Sequence, residues 1–270
     1  MVLEVIYVVR HGYRSNWVVD PETGEYSTNI RSPTGIASDP ALASYGVKQA
    51  EQLGQHLLSV EPKVDLIYSS PFYRCLQTLS PFTNALAEKG KVVVNVEPGV
   101  GEFYGLARFD HPSPATIGVL NEHFPNLRAE QNPSIIPSKK GESIVQLHDR
   151  IAYALRHIIA QADADPSGPK ALLICSHAAA MIAIGRALTG NMPEDYSEDD
   201  FNCFTCSISK FVRRGVPEKT NSPGDVAKWS PEDPDVVPDI QWRGKGVSGG
   251  WDCVINGDCS FLTGGEERGW

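Results

Sequence analysis

The hydrophobic positions of the chain alternate between two spacings. Continuous apolar and β-branched runs, typical of strands buried on both faces, occur at residues 5–9, 64–69, 92–96 and 170–175. Apolar residues spaced three and four apart predict helices at residues 43–60, 72–87, 142–160 and 178–188. Weaker patterns indicate two further strands and one short helix, at residues 206–212, 251–255 and 115–123. Because strands and helices alternate, we expect an α/β fold with a mostly parallel central sheet flanked by helices on both faces.

Three polar stretches interrupt this alternation. Residues 15–40 and 97–140 are rich in Gly, Pro and Ser and show no period, so we interpret them as long, cap-like insertions. Residues 213–270 are interpreted as a C-terminal excursion over the surface, with a tail that could dock through Trp270. Pro81 lies inside the second predicted helix and predicts a kink or the start of a new segment. The whole chain of 270 residues is therefore expected to form a single domain with insertions.

Four of the predicted strands lead into side chains that suit phosphate chemistry. The first ends in Arg10 and His11, and the second in a Ser-Ser-Pro turn followed by Arg74. The third and fourth are followed by Glu102 and His177. Parallel sheets bind ligands outside the carboxyl ends of their strands, so we expect these five side chains to meet at one edge. A neutral imidazole can attack phosphorus, and guanidinium groups match phosphate oxygens.

The same residues belong to motifs in a fixed order. Arg-His-Gly follows the first strand, and Ser-Ser-Pro-x-x-Arg-x-x-x-Thr spans residues 69–78. A Glu lies in the following loop, and Ser-His-Ala comes after a later strand. As a set, over residues 2–188, these motifs resemble the histidine phosphatase superfamily, which includes the phosphoglycerate mutases. The resemblance implies a three-layer, phosphoglycerate mutase-like fold and phosphatase activity.

Further residues indicate a place within that superfamily. Arg14 completes an Arg-His-Gly-x-Arg sequence, which resembles the acid phosphatases and protein tyrosine phosphatases of the superfamily. Tyr13 and Arg14 stand where phosphoglycerate mutases have a Glu-Ser pair, so the chain resembles a mutase less. The longer sequence Arg-His-Gly-Tyr-Arg-Ser-Asn-Trp, with Gly-Glu-Glu near the C-terminus, resembles the phosphatase domains of fungal tau subunits of RNA polymerase III transcription factor C. That resemblance implies a protein partner in the transcription machinery.

Resemblance and side-chain chemistry together give each residue an expected role. His11 is the expected nucleophile and would carry a phosphohistidine, because nearby arginines lower its pKa and keep the imidazole neutral at pH 7. Glu102 is the expected general acid for the leaving oxygen and then the base toward water, and His177 is expected to assist. No metal or other cofactor is expected, since guanidinium groups neutralise the phosphate. The expected phosphate-binding residues are Arg10, Arg14, Arg74 and His177.

For some residues the sequence leaves more than one interpretation open. Glu97 and Glu142 lie in connections comparable to that of Glu102, and Arg14 lies in a loop that could turn it to solvent. The other histidines are interpreted as surface or partly buried groups, namely His56, His111, His123, His148 and His157. Five aromatic residues either form an apolar mouth for an aromatic phosphate ester or close small cores under the insertions: Tyr13, Trp17, Phe103, Tyr104 and Phe109.

Composition and charge narrow the class of partner. The chain has 41% hydrophobic and 21% charged residues, with no apolar run long enough for a bilayer and no signal peptide pattern. We therefore expect a soluble protein of the cytoplasm or nucleus that binds no membrane. The net charge of -9 disfavours direct binding to nucleic acid. Most of the six cysteines are expected to be free thiols, although four of them leave a zinc site open: Cys203, Cys206, Cys253 and Cys259.

Two hypotheses of function follow. The first is a phosphomonoesterase that acts through phosphohistidine on a phosphorylated small molecule or phosphoprotein, including phosphotyrosine or other aryl phosphates. The second is a phosphatase-fold interaction module of a transcription-related complex with weak activity. Because every residue of the expected catalytic set is present, we favour the first hypothesis.

Overall fold

A computed structural model describes residues 2–90, 92–130, 132–215 and 227–268 of the chain. Its strands are β1 (Val5–Arg10), β2 (Trp17–Val19), β3 (Tyr26–Thr28), β4 (Leu66–Ser69), β5 (Val94–Val96), β6 (Ala171–Ser176), β7 (Ile208–Arg213) and β8 (Trp251–Asp258). Its helices are α1 (Ser44–Leu57), α2 (Tyr73–Ala87), α3 (Ile117–His123), α4 (Ile144–Ala164) and α5 (Ala178–Thr189). None of the described helices combines the length and the apolar character needed to cross a membrane.

Six strands form the central sheet, in the order β5-β4-β6-β1-β7-β8. The first four run parallel, and β7 and β8 add antiparallel strands at the other edge. Every residue of β1 and β6 is buried, as their continuous apolar runs predicted. The prediction of an α/β fold with a mostly parallel central sheet is confirmed.

Alternate side chains of the sheet enter two separate cores. From β1, Ile6 and Val8 pack in one core with α4 and α5. Val5, Tyr7 and Val9 of the same strand pack in the other core with α1 and α2. Because successive side chains of a strand point to opposite faces, the two helix pairs cover opposite faces of the sheet. This arrangement gives the three layers.

The carboxyl ends of the parallel strands lie side by side. Arg10 at the end of β1 is level with Ser176 at the end of β6. Ser69 at the end of β4 is level with Cys175 of β6 and with Val96 at the end of β5. The four connections predicted to carry chemistry therefore begin at the same edge of the sheet.

The structure adds detail to the sequence analysis at three connections. The insertion at residues 15–40 contains the hairpin β2–β3, whose strands of three residues are too short to show a period. No new segment begins at Pro81, because α2 runs past it, and Gly54 of α1 leaves the space in which its ring lies. The C-terminal excursion is not confined to the surface, since Trp242 packs in the core and donates to Asp149 Oδ1 at 2.8 Å. Residues 216–226 and the expected docking residue Trp270 lie outside the described residues.

Two glycines let the start of α1 touch the loop that follows β1. A Cβ on Gly46 would lie 1.9 Å from the backbone oxygen of Tyr13. A Cβ on Gly12 would lie 2.8 Å from the backbone oxygen of Gly46. Both distances are shorter than atoms can approach, so a side chain at either position would push the backbone apart. The start of α1 therefore lies directly against the loop that follows His11.

We expect Gly46→Ala to lower the free energy of unfolding by about 2 kcal/mol or more, because the added methyl must displace backbone rather than a flexible side chain. Gly118→Ala is the matched control, since Gly118 is also helical but the nearest atom would lie 3.9 Å from its new Cβ. There the loss of a flexible residue should raise stability by about 0.5–1 kcal/mol. Urea unfolding of both variants measures the difference, and equal effects would contradict this packing of α1.

Candidate active site

Side chains from four connections converge at the carboxyl edge of the sheet. His11 follows β1, Arg74 lies in the first turn of α2, Glu102 follows β5, and His177 immediately precedes α5. The rings of His11 and His177 meet edge to face with their centroids 5.2 Å apart. One ring nitrogen of each and one carboxylate oxygen of Glu102 all lie within 4.8 Å of one another. The structure thus brings these predicted residues into a single group.

Arg74 lies at the centre of this group and is fully buried. Its Nη2 donates to Glu102 Oε2 at 2.7 Å and lies 3.2 Å from His177 Nδ1. Its Nη1 lies 3.3 Å from Asp39 Oδ1 and 3.2 Å from the backbone oxygen of Ser38. The guanidinium also stacks on the ring of Phe72, 4.5 Å from its centroid. Arg74 is therefore held by two carboxylates that come from two separate insertions.

The sequence analysis missed Asp39. Its side chain is fully buried, and Oδ2 accepts a hydrogen bond of 3.0 Å from the backbone nitrogen of Tyr73 at the start of α2. Burial raises the pKa of Asp39 to about 6, although Arg74 and the bond from Tyr73 act in the opposite direction. A polar loop full of Asp, Ser and Pro gave no signal that distinguished this carboxylate from its neighbours.

His11 is buried, and its surroundings favour the neutral imidazole. Its Nδ1 lies 2.8 Å from the backbone oxygen of Gly12, which can only accept, so Nδ1 carries the proton and Nε2 keeps its lone pair. Burial, then the charges of Arg74, His177 and Arg10, lower the pKa of His11 well below its ordinary value. The loop is held in place because the backbone nitrogen of Gly12 donates to Thr78 Oγ1 at 2.9 Å.

His177 has the opposite electrostatic character. Burial alone would lower its pKa, but the neighbouring Cys75 and Glu102 raise the pKa above the ordinary value of 6.5. Nδ1 lies 3.1 Å from Glu102 Oε2, while Nε2 lies 2.7 Å from Ser70 Oγ and 3.6 Å from Cys75 Sγ. His177 is therefore held ready to carry a positive charge. Ser70 could have been found from the Ser-Ser-Pro motif, whereas Cys75 gave no such signal.

Glu102 is ionised in this arrangement. Burial would raise its pKa, but His177 and Arg74 lower the pKa well below its ordinary value. The two competing glutamates lie elsewhere. Glu97 accepts bonds from the backbone nitrogens of Gly99 and Ser134, and Glu142 pairs with Arg150. Glu102 is thus the glutamate that lies beside His11, and its carboxylate contacts Arg74 and His177, two of the four residues expected to bind phosphate.

The two other predicted arginines are placed differently. Arg10 is buried and helps to lower the pKa of His11, but its Nη1 donates to the backbone oxygens of Cys203, at 2.7 Å, and Arg268. Arg14 is half-buried, donates to the backbone oxygen of Ser15 at 3.0 Å and lies over the ring of Trp17. Burial and the charge of Arg74 lower the pKa of Arg14 to about 10. Arg14 is therefore only partly exposed to solvent.

One set of side chains has the spacing of a metal site. His11, Glu102 and His177 could in principle supply three ligand atoms to a cation. Arg74 disfavours this, because its guanidinium already binds the same Glu102 oxygen and would repel a cation. In the described part of the chain, the cysteines that left a zinc site open form no cluster of three possible ligands. All six cysteines are free thiols.

The aromatic residues of the insertions divide into two groups. Trp17 packs on Tyr26, and Tyr104 stacks on His111 with a centroid distance of 4.7 Å, so a small core joins the hairpin to the loop after Glu102. Phe109 contacts the same small core. Tyr13 packs on Tyr45, and Phe103 packs against the core formed with α4 and α5. Of the histidines interpreted as surface or partly buried groups, His111 and His148 are buried.

A cavity of about 380 Å³ opens beside Glu102. Its walls come from the turn before α2, the loop after β5 and the end of the second insertion. Most of the lining is apolar, and it comprises Pro71, Phe72, Pro98, Gly101, Glu102, Tyr104, His111, Pro112, Ser113, Pro114, Ile136, Pro137, Ser138 and Lys139. The cavity therefore places an apolar surface next to the Glu102 carboxylate, which binds the Arg74 guanidinium.

The fold and this group of residues are those of a known family. The chain belongs to the histidine phosphatase superfamily, branch 1, whose family model matches residues 6–220. It is 31% identical over its whole length to the transcription factor tau 55 kDa subunit of Saccharomyces cerevisiae, of which it spans 59%. It is 28% identical, over 72% of its length, to an ecdysteroid-phosphate phosphatase of Drosophila melanogaster, of which it spans 28%.

Solved structures support the assignment of the fold. An ecdysone phosphate phosphatase from Bombyx mori, in complex with tungstate, aligns with 84% of this chain and 96% of its own, with a TM-score of 0.62 and 19% identity. A phosphoserine phosphatase from Entamoeba histolytica, in complex with phosphoserine, aligns with 96% of this chain and 98% of its own, with a TM-score of 0.52 and 16% identity. The predicted three-layer, phosphoglycerate mutase-like architecture is confirmed.

The two site histidines should be distinguishable by NMR. At pH 6.5, the ordinary histidine pKa, we expect His11 to be neutral with its proton on Nδ1 and His177 to be mostly charged. ¹H–¹⁵N spectra of the imidazole groups measure this, and the variants His11→Asn and His177→Asn assign the signals. A charged His11, or a His11 proton on Nε2, would contradict the described tautomer.

The pKa shifts of His11 and His177 make the free energy of unfolding depend on pH in opposite directions. Because the pKa of His177 is raised by folding, its contribution is fully present below the unfolded value of 6.5 and is lost as the pH rises through the folded value. The pKa of His11 is lowered, so its contribution is present above 6.5 and is lost as the pH falls.

Proposed function

We propose that the protein is a metal-independent phosphomonoesterase that forms a phosphohistidine on His11. The observation that carries the proposal is the His11 ring, whose Nδ1 lies on a backbone oxygen so that Nε2 is free of a proton, beside the buried Arg74 guanidinium and the His177 ring. Nε2 attacks phosphorus, so an N–P bond forms while the P–O bond to the leaving group breaks. Arg74 and His177 stabilise the charge on the phosphoryl oxygens, with Arg14 and Arg10 adding to the positive field.

Arg74 has a further donor for the phosphoryl group. Its Nε is buried and has no hydrogen-bond partner among the residues that the structure describes. Unpaired buried donors are unfavourable, and a phosphoryl oxygen can satisfy this one. In the site without substrate, Nη2 of the same guanidinium already donates to Glu102. Binding of a phosphate dianion therefore competes with Glu102 for Arg74 and His177.

This competition provides the acid. Once the dianion takes over Arg74 and His177, Glu102 loses the contacts that hold its pKa low and gains a nearby negative charge, so its pKa rises. Glu102 takes up a proton from solvent as its pKa rises, and it gives this proton to the leaving oxygen as the P–O bond breaks. In the second step the carboxylate accepts a proton from water, whose oxygen bonds to phosphorus while the N–P bond breaks. Inorganic phosphate and neutral His11 are the products.

The cavity beside Glu102 supports an aryl or similarly apolar leaving group. Its lining lies where the alcohol part of an ester would extend beyond the carboxylate, and the aromatic core of the insertions closes one side. Burial of an aromatic ring in such a cavity favours phosphotyrosine or other aryl phosphates over small polar esters. Relatives named for ecdysteroid phosphates and for phosphoserine show that this family alone does not select one alcohol.

We expect His11→Ala to reduce hydrolysis of p-nitrophenyl phosphate by at least about 1000-fold, because the nucleophile is lost. Wild-type turnover should persist in excess EDTA. Rapid denaturation in alkali during turnover should trap a phosphohistidine in the wild type and none in the variant. His157→Ala is the matched control, since His157 also bonds a backbone oxygen through Nδ1 but lies on α4. Turnover by His11→Ala at the wild-type rate would refute the proposal.

Ile136→Asn should raise the KM for naphthyl phosphate about tenfold, as loss of apolar contact amounts to about 1–2 kcal/mol. The KM for O-phosphoserine should change less than twofold or so, because its small polar alcohol gains little from the cavity. Ile144→Asn is the control, since both isoleucines are 40–45% exposed but Ile144 lies outside the cavity. An equal rise in KM for both substrates would exclude a role of the cavity in selectivity.

A second candidate function is an interaction module of a transcription complex with weak activity, in the nucleus rather than the cytoplasm. The likeness to the yeast tau subunit over the whole chain favours it. The two functions differ in their dependence on His11. Stoichiometric association with purified subunits of that complex, with negligible wild-type turnover of every phosphate ester tested, would favour the module. Efficient turnover abolished by His11→Ala would favour the enzyme.

A further inference from the structure

The turn that carries Glu102 has little regular structure of its own. Glu102 follows a short helical turn at residues 98–100, and Gly99 and Gly101 lie just before it. Glycine lacks a side chain that would limit the backbone, so such a turn does not hold a carboxylate in one position by itself. Glu97 secures the beginning of the turn, through Gly99, but not its end.

Arg150 of α4 secures the remainder. Its side chain is buried, and Nη1 donates to the backbone oxygen of Gly99 at 2.8 Å and lies 3.4 Å from that of Gly101. Nη2 lies 3.4 Å from the backbone oxygen of Glu102 itself. One planar guanidinium thus contacts three carbonyl groups of the turn, a geometry that a single ammonium group does not reproduce.

Glu142 neutralises Arg150 and contacts the chain on the other side of Glu102. Nε of Arg150 donates to both carboxylate oxygens of Glu142, at 2.9 and 3.2 Å, and Nη2 donates to Oε1. The backbone nitrogen of Glu142 donates to the backbone oxygen of Tyr104 at 2.9 Å. The Glu142–Arg150 pair therefore holds the chain both before and after Glu102.

We propose that Arg150, paired with Glu142, is a positioning residue that sets the Glu102 carboxylate at proton-transfer distance from the leaving oxygen. The inference rests on the proposed function, because it assigns Arg150 to the position of Glu102, whose first role there is to protonate the leaving oxygen. Arg150 reaches the turn from α4, whereas Arg74 belongs to α2 on the opposite face of the sheet. Loss of Arg150 should therefore loosen the acid and leave the nucleophile and phosphate contacts in place.

Leaving groups that differ in their need for a proton test the inference. Phenyl phosphate releases a phenol with a pKa of about 10, as for tyrosine, and needs an acid, whereas 2,4-dinitrophenyl phosphate releases a stable anion without one. In Arg150→Met we expect kcat/KM for phenyl phosphate, which reports the step that releases the leaving group, to fall about 100-fold, the effect of misplacing a group by about 1 Å. For 2,4-dinitrophenyl phosphate the fall should be less than about fivefold. Glu102→Gln should show the same contrast.

Arg186→Met is the matched control. Arg186 is also a buried arginine, paired with Asp200 and bound to backbone oxygens of Tyr196 and Glu198, but it contacts no part of the Glu102 turn. Its loss should lower thermal stability as the loss of Arg150 does, without any contrast between the two leaving groups. Arg150→Lys keeps the charge beside Glu142 and serves if Arg150→Met does not fold; the contrast should then be smaller but present.

The outcomes separate this inference from the proposed function. If the wild type hydrolyses neither ester and forms no phosphohistidine, the proposed function fails. The positioning role is refuted if the wild type is active and the two Arg150 variants lose the same fraction of kcat/KM for both esters. It is also refuted if they lose activity toward neither ester. A crystal structure of the Arg150 variant gives a readout without turnover. We expect the Glu102 carboxylate to be displaced from Arg74 while His11 and Arg74 stay in place, and an unmoved Glu102 would overturn the inference.

Discussion

The buried guanidinium of Arg74 is the group on which the rest of the candidate site depends. A charge taken out of water must be paired, and breaking such a pair is typically unfavourable by about 3–5 kcal/mol. Arg74 has two carboxylate partners of different kinds. Asp39 is fully buried and also binds the start of α2, whereas Glu102 is partly exposed and borders the cavity. The first is suited to hold Arg74 permanently, and the second is suited to be replaced.

The exchange of Glu102 for a phosphate dianion that we propose explains how a cationic group can be built inside an acidic protein. Without substrate, Glu102 balances the charges of Arg74 and His177, so the buried group is not left with unpaired cations. A phosphate dianion that displaces Glu102 restores the balance rather than creating a new buried charge. Burial and the charge of the same guanidinium lower the pKa of His11, while Cys75 and Glu102 raise the pKa of the adjacent His177. The pKa values of two neighbouring histidines are thus shifted in opposite directions within one group.

The strand ends allowed part of this group to be predicted from the sequence. His11, Arg74, Glu102 and His177 each follow a strand with a clear apolar run, and the geometry of parallel sheets brings such positions together. Asp39 could not be predicted, because it lies in a polar insertion whose fold depends on contacts with the rest of the chain. The hairpin β2–β3 could not be predicted either, because strands of three residues are too short to show a period.

Arg150 illustrates a different limit of sequence analysis. It lies on a helix face whose apolar residues predict only burial, and nothing in that pattern shows that a guanidinium extends past them to the Glu102 turn. The consequence for the architecture is that α2 and α4 support different parts of the group from opposite faces of the sheet. Arg74 is supplied by α2, whereas the Glu102 turn is held by Arg150 from α4. The residues proposed to bind phosphate and to supply the proton therefore rely on different helices.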